Sequence, residues 1–316
     1  MLVRSSPPPS LRAALDRIAE GLELVERSLR EQMVSQQELI GTIGEHVLSS
    51  GGKRLRPALL FLAAELCGYT GPRRVQVAAA VELLHTASLL HDDVVDLGEV
   101  RRGRPSANAI WGNSRAVLVG DYCLARASGM IVEDGDLEIL WIFANTIGLM
   151  AEGELLQLQH SFDASVTEAH YYNVIDRKSA ALLAAACEAG AILGGVTRPE
   201  RRRLAEFGRE MGLAFQLRDD ALDYSADQEV LGKQPHTDLR EGKVTLPLLL
   251  TLKRCMSSER VAVDTILKAA SDRRAELQAV GRGGPGGVID PQDLELVLEL
   301  VERHRGVADT NRRAQQ

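Results

Sequence analysis

Two long runs of helically spaced apolar residues in this chain end on the same acidic pattern, and few folds accommodate that twice. VELLHTASLL runs into Asp92, Asp93 and Asp96 (DDVVD), and MGLAFQLR runs into Asp219, Asp220 and Asp223 (DDALD). Each trio has the spacing i, i+1, i+4. On a helix i and i+4 share a face, so Asp92 stands over Asp96 and Asp219 over Asp223. Carboxylates stacked this way repel one another and need a partner when half-buried. Hard cations such as Mg²⁺ take carboxylate oxygens together with substrate phosphates. Two such clusters facing each other would hold several metal ions and, through them, a diphosphate. A solvated surface explains one acidic trio as well as a metal does; two matching copies in apolar helix favour the metal.

The rest of the chain reads as helix. Segments 73–96, 136–160 and 198–223 carry apolar residues at helical spacing, and no run alternates in the manner of a strand. The predicted class is all-α. The length of 316 residues would allow two domains, but a single large helical domain over 1–316 is the reading adopted. Breakers place loops at Gly68–Pro72, Gly103–Pro105, Gly194–Pro199 and Gly281–Gly287. Residues 1–10, containing SSPPPS, are expected to be disordered.

A formal net charge of −7 argues against a nucleic-acid partner. Cys67, Cys123, Cys187 and Cys255 lack CxxC or zinc spacing and lie in apolar contexts, so they read as reduced core residues of a cytoplasmic protein. No signal peptide is evident, and no apolar run is expected to reach membrane-spanning length.

Cations follow the first acidic trio and recur along the chain. Arg101 and Arg102 stand in EVRRGRPSAN, Lys53, Arg54 and Arg56 in GGKRLRP, Lys178 in RKSAAL, Lys233 in LGKQ and Lys243 in EGKVTLP. Arginine binds phosphate in bidentate fashion and lysine as a point charge. An isolated lysine is ordinarily a solvated surface charge. Glycine before Lys53, Lys233 and Lys243 shifts that balance, because it lets the backbone turn sharply and approach a ligand. No GxxxxGK[ST] loop is present.

GGKRLRP, LLHDDVVD followed by RRGRPSAN, GDY, AEGELLQL, KSAAL, FQLRDDALDY and LGK…DLREGKVTLPLLL occur in that order between about Gly51 and Leu250. Together they resemble the trans-isoprenyl diphosphate synthases, and within them the long-chain group. The resemblance implies one large helical bundle with a central substrate cavity. It implies Mg²⁺, repeated condensation of isopentenyl diphosphate with an allylic diphosphate (geranyl or farnesyl), and a homodimer. A long product would partition to the membrane, with the enzyme cytoplasmic or peripheral there, and quinone side chains would be its destination.

Site roles carry over by the same resemblance. Lys53, Arg56, His85 and Arg102 correspond to the isopentenyl diphosphate site; Arg101, Lys178, Ser179, Gln216, Lys233 and Lys243 correspond to the allylic diphosphate site. Ser179 stands where the family often has threonine, and His236 and Thr237 replace its usual Gly-Lys. His85 lies two helical turns before Asp92 and shares its face. In the implied mechanism the aspartates bind Mg²⁺ and Mg²⁺ holds the leaving diphosphate. An allylic carbocation forms, isopentenyl diphosphate attacks it, and water is kept out. The chain stops inside a helical run, so the family's C-terminal helices are expected to be short or missing.

Product length is read from the residues beneath Asp92. Ser88 lies one turn below it, Leu84 about another turn deeper, and Ala87 beside Ser88. Short-chain members of the family carry bulky aromatics at the fourth or fifth position before the motif. Here both are small, and Ser128 with Gly129 stands where long-chain relatives often place a large floor residue. An octaprenyl-class product is expected, with a geranylgeranyl or farnesyl synthase as the alternative. Ala87 and Ser88 could also simply permit close helix packing. A metal phosphohydrolase is disfavoured because His85 and His91 are six apart and point to different faces. A terpene cyclase would carry a differently built second motif. A non-catalytic partner subunit would lack aspartates or arginines that are all present here.

Overall fold

The computed structural model describes residues 9–225, 236–279 and 289–316. Its helices are α1 (Pro9–Gln32), α2 (Glu38–Ser49), α3 (Leu55–Leu66), α4 (Arg73–Val95), α5 (Ala107–Trp111), α6 (Asn113–Asp134), α7 (Leu137–Gln159), α8 (Glu168–Ile175), α9 (Ala181–Leu193), α10 (Arg198–Ser225), α11 (Thr237–Arg240), α12 (Leu246–Leu252), α13 (Ser257–Ala279), α14 (Pro291–Arg303) and α15 (Gly306–Arg313). A π-helical turn, Asp176–Ala180, joins α8 to α9. Strands β1 (Val100–Arg101) and β2 (Arg104–Pro105) form an antiparallel pair that the apolar pattern did not signal, because two residues each leave no periodicity to read. The three long periodic segments match α4, α7 and α10 closely. Helix α1 begins at Pro9, inside the stretch expected to be disordered; residues 1–8 and the loop expected at Gly281–Gly287 lie outside the described residues.

The chain divides into two compact units, each built from three stretches of sequence. The first comprises 1–88, 118–145 and 182–208. Its core holds Ile18, Val25, Leu29, Ile43, Leu60, Phe61, Leu83, Ile131 and Leu182, all buried. Helices approach closely where glycine removes a side chain: a Cβ on Gly190 would stand 2.4 Å from the Leu60 carbonyl oxygen.

The second unit comprises 89–117, 146–181 and 209–316. Its centre is α12, in which every residue is buried. A helix apolar on all sides must be surrounded, and α8, α14 and α15 pack around it. A Cβ on Gly306 would come within 2.3 Å of the Pro247 carbonyl oxygen, so α15 starts against the α12 backbone. Helices α14 and α15 thus cover this core.

Two expectations need correction. Cys123 and Cys187 are buried, but Cys67 and Cys255 are only half-buried, and Cys67 caps α3 while Cys255 lies in the turn after α12. Helix α7, 23 residues long, does reach membrane-spanning length and apolarity, by length and composition only.

Candidate active site

Both acidic clusters, with most of their cations, belong to the second unit. The first lies at the end of α4, where the Asp96 N–H still donates to the Asp92 carbonyl at 2.8 Å. Leu97 then takes φ 57° and ends the helix. The next residues fold into a tight hairpin. Arg102 and Gly103 both have positive φ, 53° and 76°, the requirement of a type I′ turn. That turn separates the paired arginines. Arg101 points inward, its Nε donating to Asp93 Oδ1 at 2.7 Å and its Nη2 lying 2.6 Å from the same oxygen; Arg102 is exposed.

Asp96 receives a different cation. Lys243 Nζ donates to Asp96 Oδ2 at 2.7 Å and to Glu241 Oε2 at 2.6 Å. Burial alone would raise Asp96, but the Lys243 and Lys178 ammonium groups hold it below the usual carboxylate range. Lys243 is held well above its own range: Asp96, Glu241 and Asp238 outweigh burial. Asp92 goes the other way, pushed up to about 6 by burial against the pull of Lys178, with Glu154 and Asp96 adding repulsion.

The second cluster, near the end of α10, is asymmetric. Asp219 is exposed, while Asp220 and Asp223 are only 2% and 1% accessible. Both Asp220 oxygens are occupied by neutral donors: Tyr171 Oη donates to Oδ2 at 2.5 Å and Gln216 Nε2 to Oδ1 at 2.7 Å. Ser179 Oγ in turn donates to Gln216 Oε1 at 2.7 Å, so the hydroxyl kept at that position orients the glutamine amide. Burial, with repulsion from Asp238, pushes Asp220 up to about 8. Asp223 Oδ2 accepts from the Asp238 N–H at 3.0 Å. Residues 236–243 therefore reach both clusters: Asp238 binds Asp223, and Lys243 binds Asp96.

Lys178 is delivered by the π-helical turn. One extra residue in a turn re-aims a side chain, and such bulges recur at functional sites. The turn fits because two glycines face it: a Cβ on Gly153 would stand 2.8 Å from the Lys178 nitrogen, and one on Gly212 2.5 Å from Ala180 Cα. Lys178 pairs with Glu154 and donates to Gln157 Oε1 at 3.0 Å.

The six aspartates marked in the sequence as metal ligands differ in surroundings. Asp93, Asp220 and Asp223 are buried and meet Arg101, Tyr171 and Gln216, and the Asp238 N–H, respectively. Asp92 and Asp96 are half-buried and Asp219 is exposed, and at Asp96 a lysine ammonium already holds a cation's position between two carboxylates. This all-oxygen donor set, with lysine and arginine beside it, suits a hard divalent cation that shares its coordination with a diphosphate.

Lys53, Arg56 and His85 belong to the first unit. Lys53 is exposed, and its neighbour Arg54 turns inward to Glu26 and, at 3.1 Å, to Glu82. Of the chain-length residues, Leu84 and Ala87 are buried. Ser88 and Ser128 are half-buried, their hydroxyls bonded to the His85 and Leu124 carbonyls. Lys233 lies outside the described residues. Sequence reasoning assigned no role to Tyr171, Glu154, Gln157 or Glu241. Glu154 and Gln157 lay in the quoted AEGELLQL, Glu241 two residues before Lys243, and Tyr171 seven before Lys178.

A helical chain that sets paired aspartate clusters among phosphate-binding cations is built as a diphosphate-handling, metal-dependent enzyme. Residues 37–282 match the polyprenyl synthetase family, and the chain belongs to it. It is a trans-prenyltransferase. The octaprenyl diphosphate synthase of Escherichia coli (strain K12) is 43% identical over 81% of this chain and 79% of its own. A geranyl-diphosphate-specific all-trans-nonaprenyl-diphosphate synthase of Rhodobacter capsulatus is 42% identical over 90% and 89%. In three dimensions the chain is similar to a polyprenyl synthase from Caulobacter crescentus complexed with calcium and isoprenyl diphosphate. That match has a TM-score of 0.83 and 39% identity, covering 94% of this chain and 85% of the other.

Proposed function

We propose that the protein condenses isopentenyl diphosphate repeatedly with an allylic diphosphate, geranyl or farnesyl, to give an octaprenyl-class all-trans diphosphate. The observation that carries the chemistry is the pair of aspartate clusters joined by residues 236–243. Asp92, Asp96 and Asp219 would hold Mg²⁺, which supplies electrostatic stabilisation of the departing diphosphate. Asp93, Asp220 and Asp223 keep the cluster backbones in place through their protein donors.

Lys178, Arg101 and Lys243 line the same cluster and would bind the allylic diphosphate, with Ser179 fixing Gln216 and Lys233 closing the set. As a diphosphate arrives, Lys243 would exchange Asp96 for a phosphate oxygen while Glu241 retains it, and Lys178 would turn to the phosphate from its pairing with Glu154 and Gln157. Lys53, Arg56, His85 and Arg102 would bind isopentenyl diphosphate. The long-chain reading is supported by Ala87, Ser88 and Ser128, small where a plug would stand, and by open space within 4 Å of a Cβ built on Gly129.

The active form would be a homodimer. Leu118 and Val132 on α6 and Leu137 and Trp141 on α7 are at least 62% exposed, a large apolar surface for a chain without a partner. A long product would partition to the membrane, and a quinone side chain is the destination its length fits. Incubation with Mg²⁺, labelled isopentenyl diphosphate and farnesyl diphosphate tests the reading: labelled polyprenyl diphosphate is expected, and no incorporation would refute it.

A further inference from the structure

Away from the acidic clusters, the chain ends of α12, α14 and α15 gather a concentration of arginine that the reaction does not use. A shallow, open depression of about 430 Å³ is lined by Arg254, Arg303, His304, Arg305, Asp309 and Arg312. Its acidic groups are outnumbered. Arg254 and Arg312 share the single carboxylate of Asp309, Arg312 Nη2 lying 2.7 Å from Oδ1. Arg303 pairs with Glu259 at 3.0 Å, and His304 Nε2 lies 3.2 Å from the same carboxylate. Arg254 Nη1 also donates to the His304 carbonyl at 2.6 Å. Arg305 sits at φ 58°, left-handed backbone that a non-glycine residue rarely adopts, and its side chain is exposed at the rim.

The excess of positive charge stands out in a chain of net charge −7. Guanidinium groups around a concavity match phosphate oxygens in geometry and charge. We propose that this depression is a second anion site, binding a phosphate-bearing ligand independently of the catalytic centre. A free diphosphate and the headgroup of an anionic lipid share that chemistry. The lipid would draw the enzyme to the surface into which a long prenyl chain partitions.

The double variant Arg305→Asn, Arg312→Gln tests this. Asparagine tolerates the left-handed backbone, and Arg254 remains on Asp309, so the fold and the rate of the first condensation should be unchanged. Two ligands are titrated at low salt: inorganic diphosphate in EDTA, and vesicles of phosphatidylglycerol in phosphatidylcholine against phosphatidylcholine alone. Wild-type protein is expected to bind at least one: vesicle binding should weaken roughly thirtyfold in the variant, or the variant should lose one equivalent of bound diphosphate while the sites at the aspartate clusters still bind. Loss on vesicles alone identifies a lipid headgroup; loss on diphosphate identifies the free anion. Binding of neither ligand, or equal binding by wild type and variant, would overturn the proposal.

Discussion

Lys243 Nζ stands 2.7 Å from Asp96 Oδ2, across 147 residues of sequence, and joins the loop behind the second aspartate cluster to the first. The five-residue reach from Asp238, bonded to Asp223, to Lys243 ties the clusters into one electrostatic unit. A metal bound at Asp96 would share this carboxylate with the ammonium or take its place, and Glu241, the second acceptor of Lys243, would keep the lysine nearby.

The first prediction follows from the division of the aspartates. Asp92→Ala and Asp219→Ala should each lower turnover by about two to three orders of magnitude, since each removes support for transition-state charge. Measured with Mg²⁺ and both substrates, near-normal turnover in either variant would contradict the two-cluster mechanism.

Tyr171→Phe should act differently. It removes the donor to a buried carboxyl while leaving Asp219 untouched. Leaving a buried polar group short of a partner costs about 1–3 kcal/mol, so a lower melting temperature is expected with a smaller loss of activity than in Asp219→Ala. Unchanged stability would show that the 2.5 Å bond contributes nothing.

The two diphosphate sites should separate kinetically. Lys53→Ala and Arg102→Ala are expected to raise chiefly the KM for isopentenyl diphosphate, and Lys178→Ala to change the allylic KM or kcat. Contacts made in the ground state appear in KM, and those that strengthen as the leaving group departs appear in kcat. An effect of Arg102→Ala confined to the allylic KM would reverse the assignment.

Much of this architecture was legible in the chain, for physical reasons. Helices α4, α7 and α10 are long enough for a 3.6-residue period to show, and the i, i+4 spacing alone places Asp92 with Asp96. What stayed hidden depends on contacts distant in sequence. Nothing near Asp220 indicates that Tyr171, 49 residues earlier, occupies its oxygen. The π-turn has no periodic signature, and its need for Gly153 and Gly212 appears only when the helices meet. Spacing sets Arg101 and Arg102 side by side, and only the family resemblance gave them different roles; an I′ turn sends them to different environments.

Oligomeric state is testable on the apolar face of α6 and α7. Light scattering after size exclusion should give twice the 34.4 kDa chain mass. Trp141→Glu, which places a charge at a residue 67% exposed, should shift the protein toward monomer. A stable, active wild-type monomer would refute the dimer.

Product length tests the central claim most directly. With Mg²⁺, farnesyl diphosphate and excess isopentenyl diphosphate, the wild-type enzyme should release prenyl chains of the octaprenyl class. Ala87→Phe should shorten them sharply with little loss in the first condensation, because the ring would stand on α4 below Asp92, in the path the long-chain reading gives the growing chain, and away from the carboxylates. Wild-type enzyme that stops at farnesyl diphosphate, or an Ala87→Phe product of unchanged length, would contradict the account.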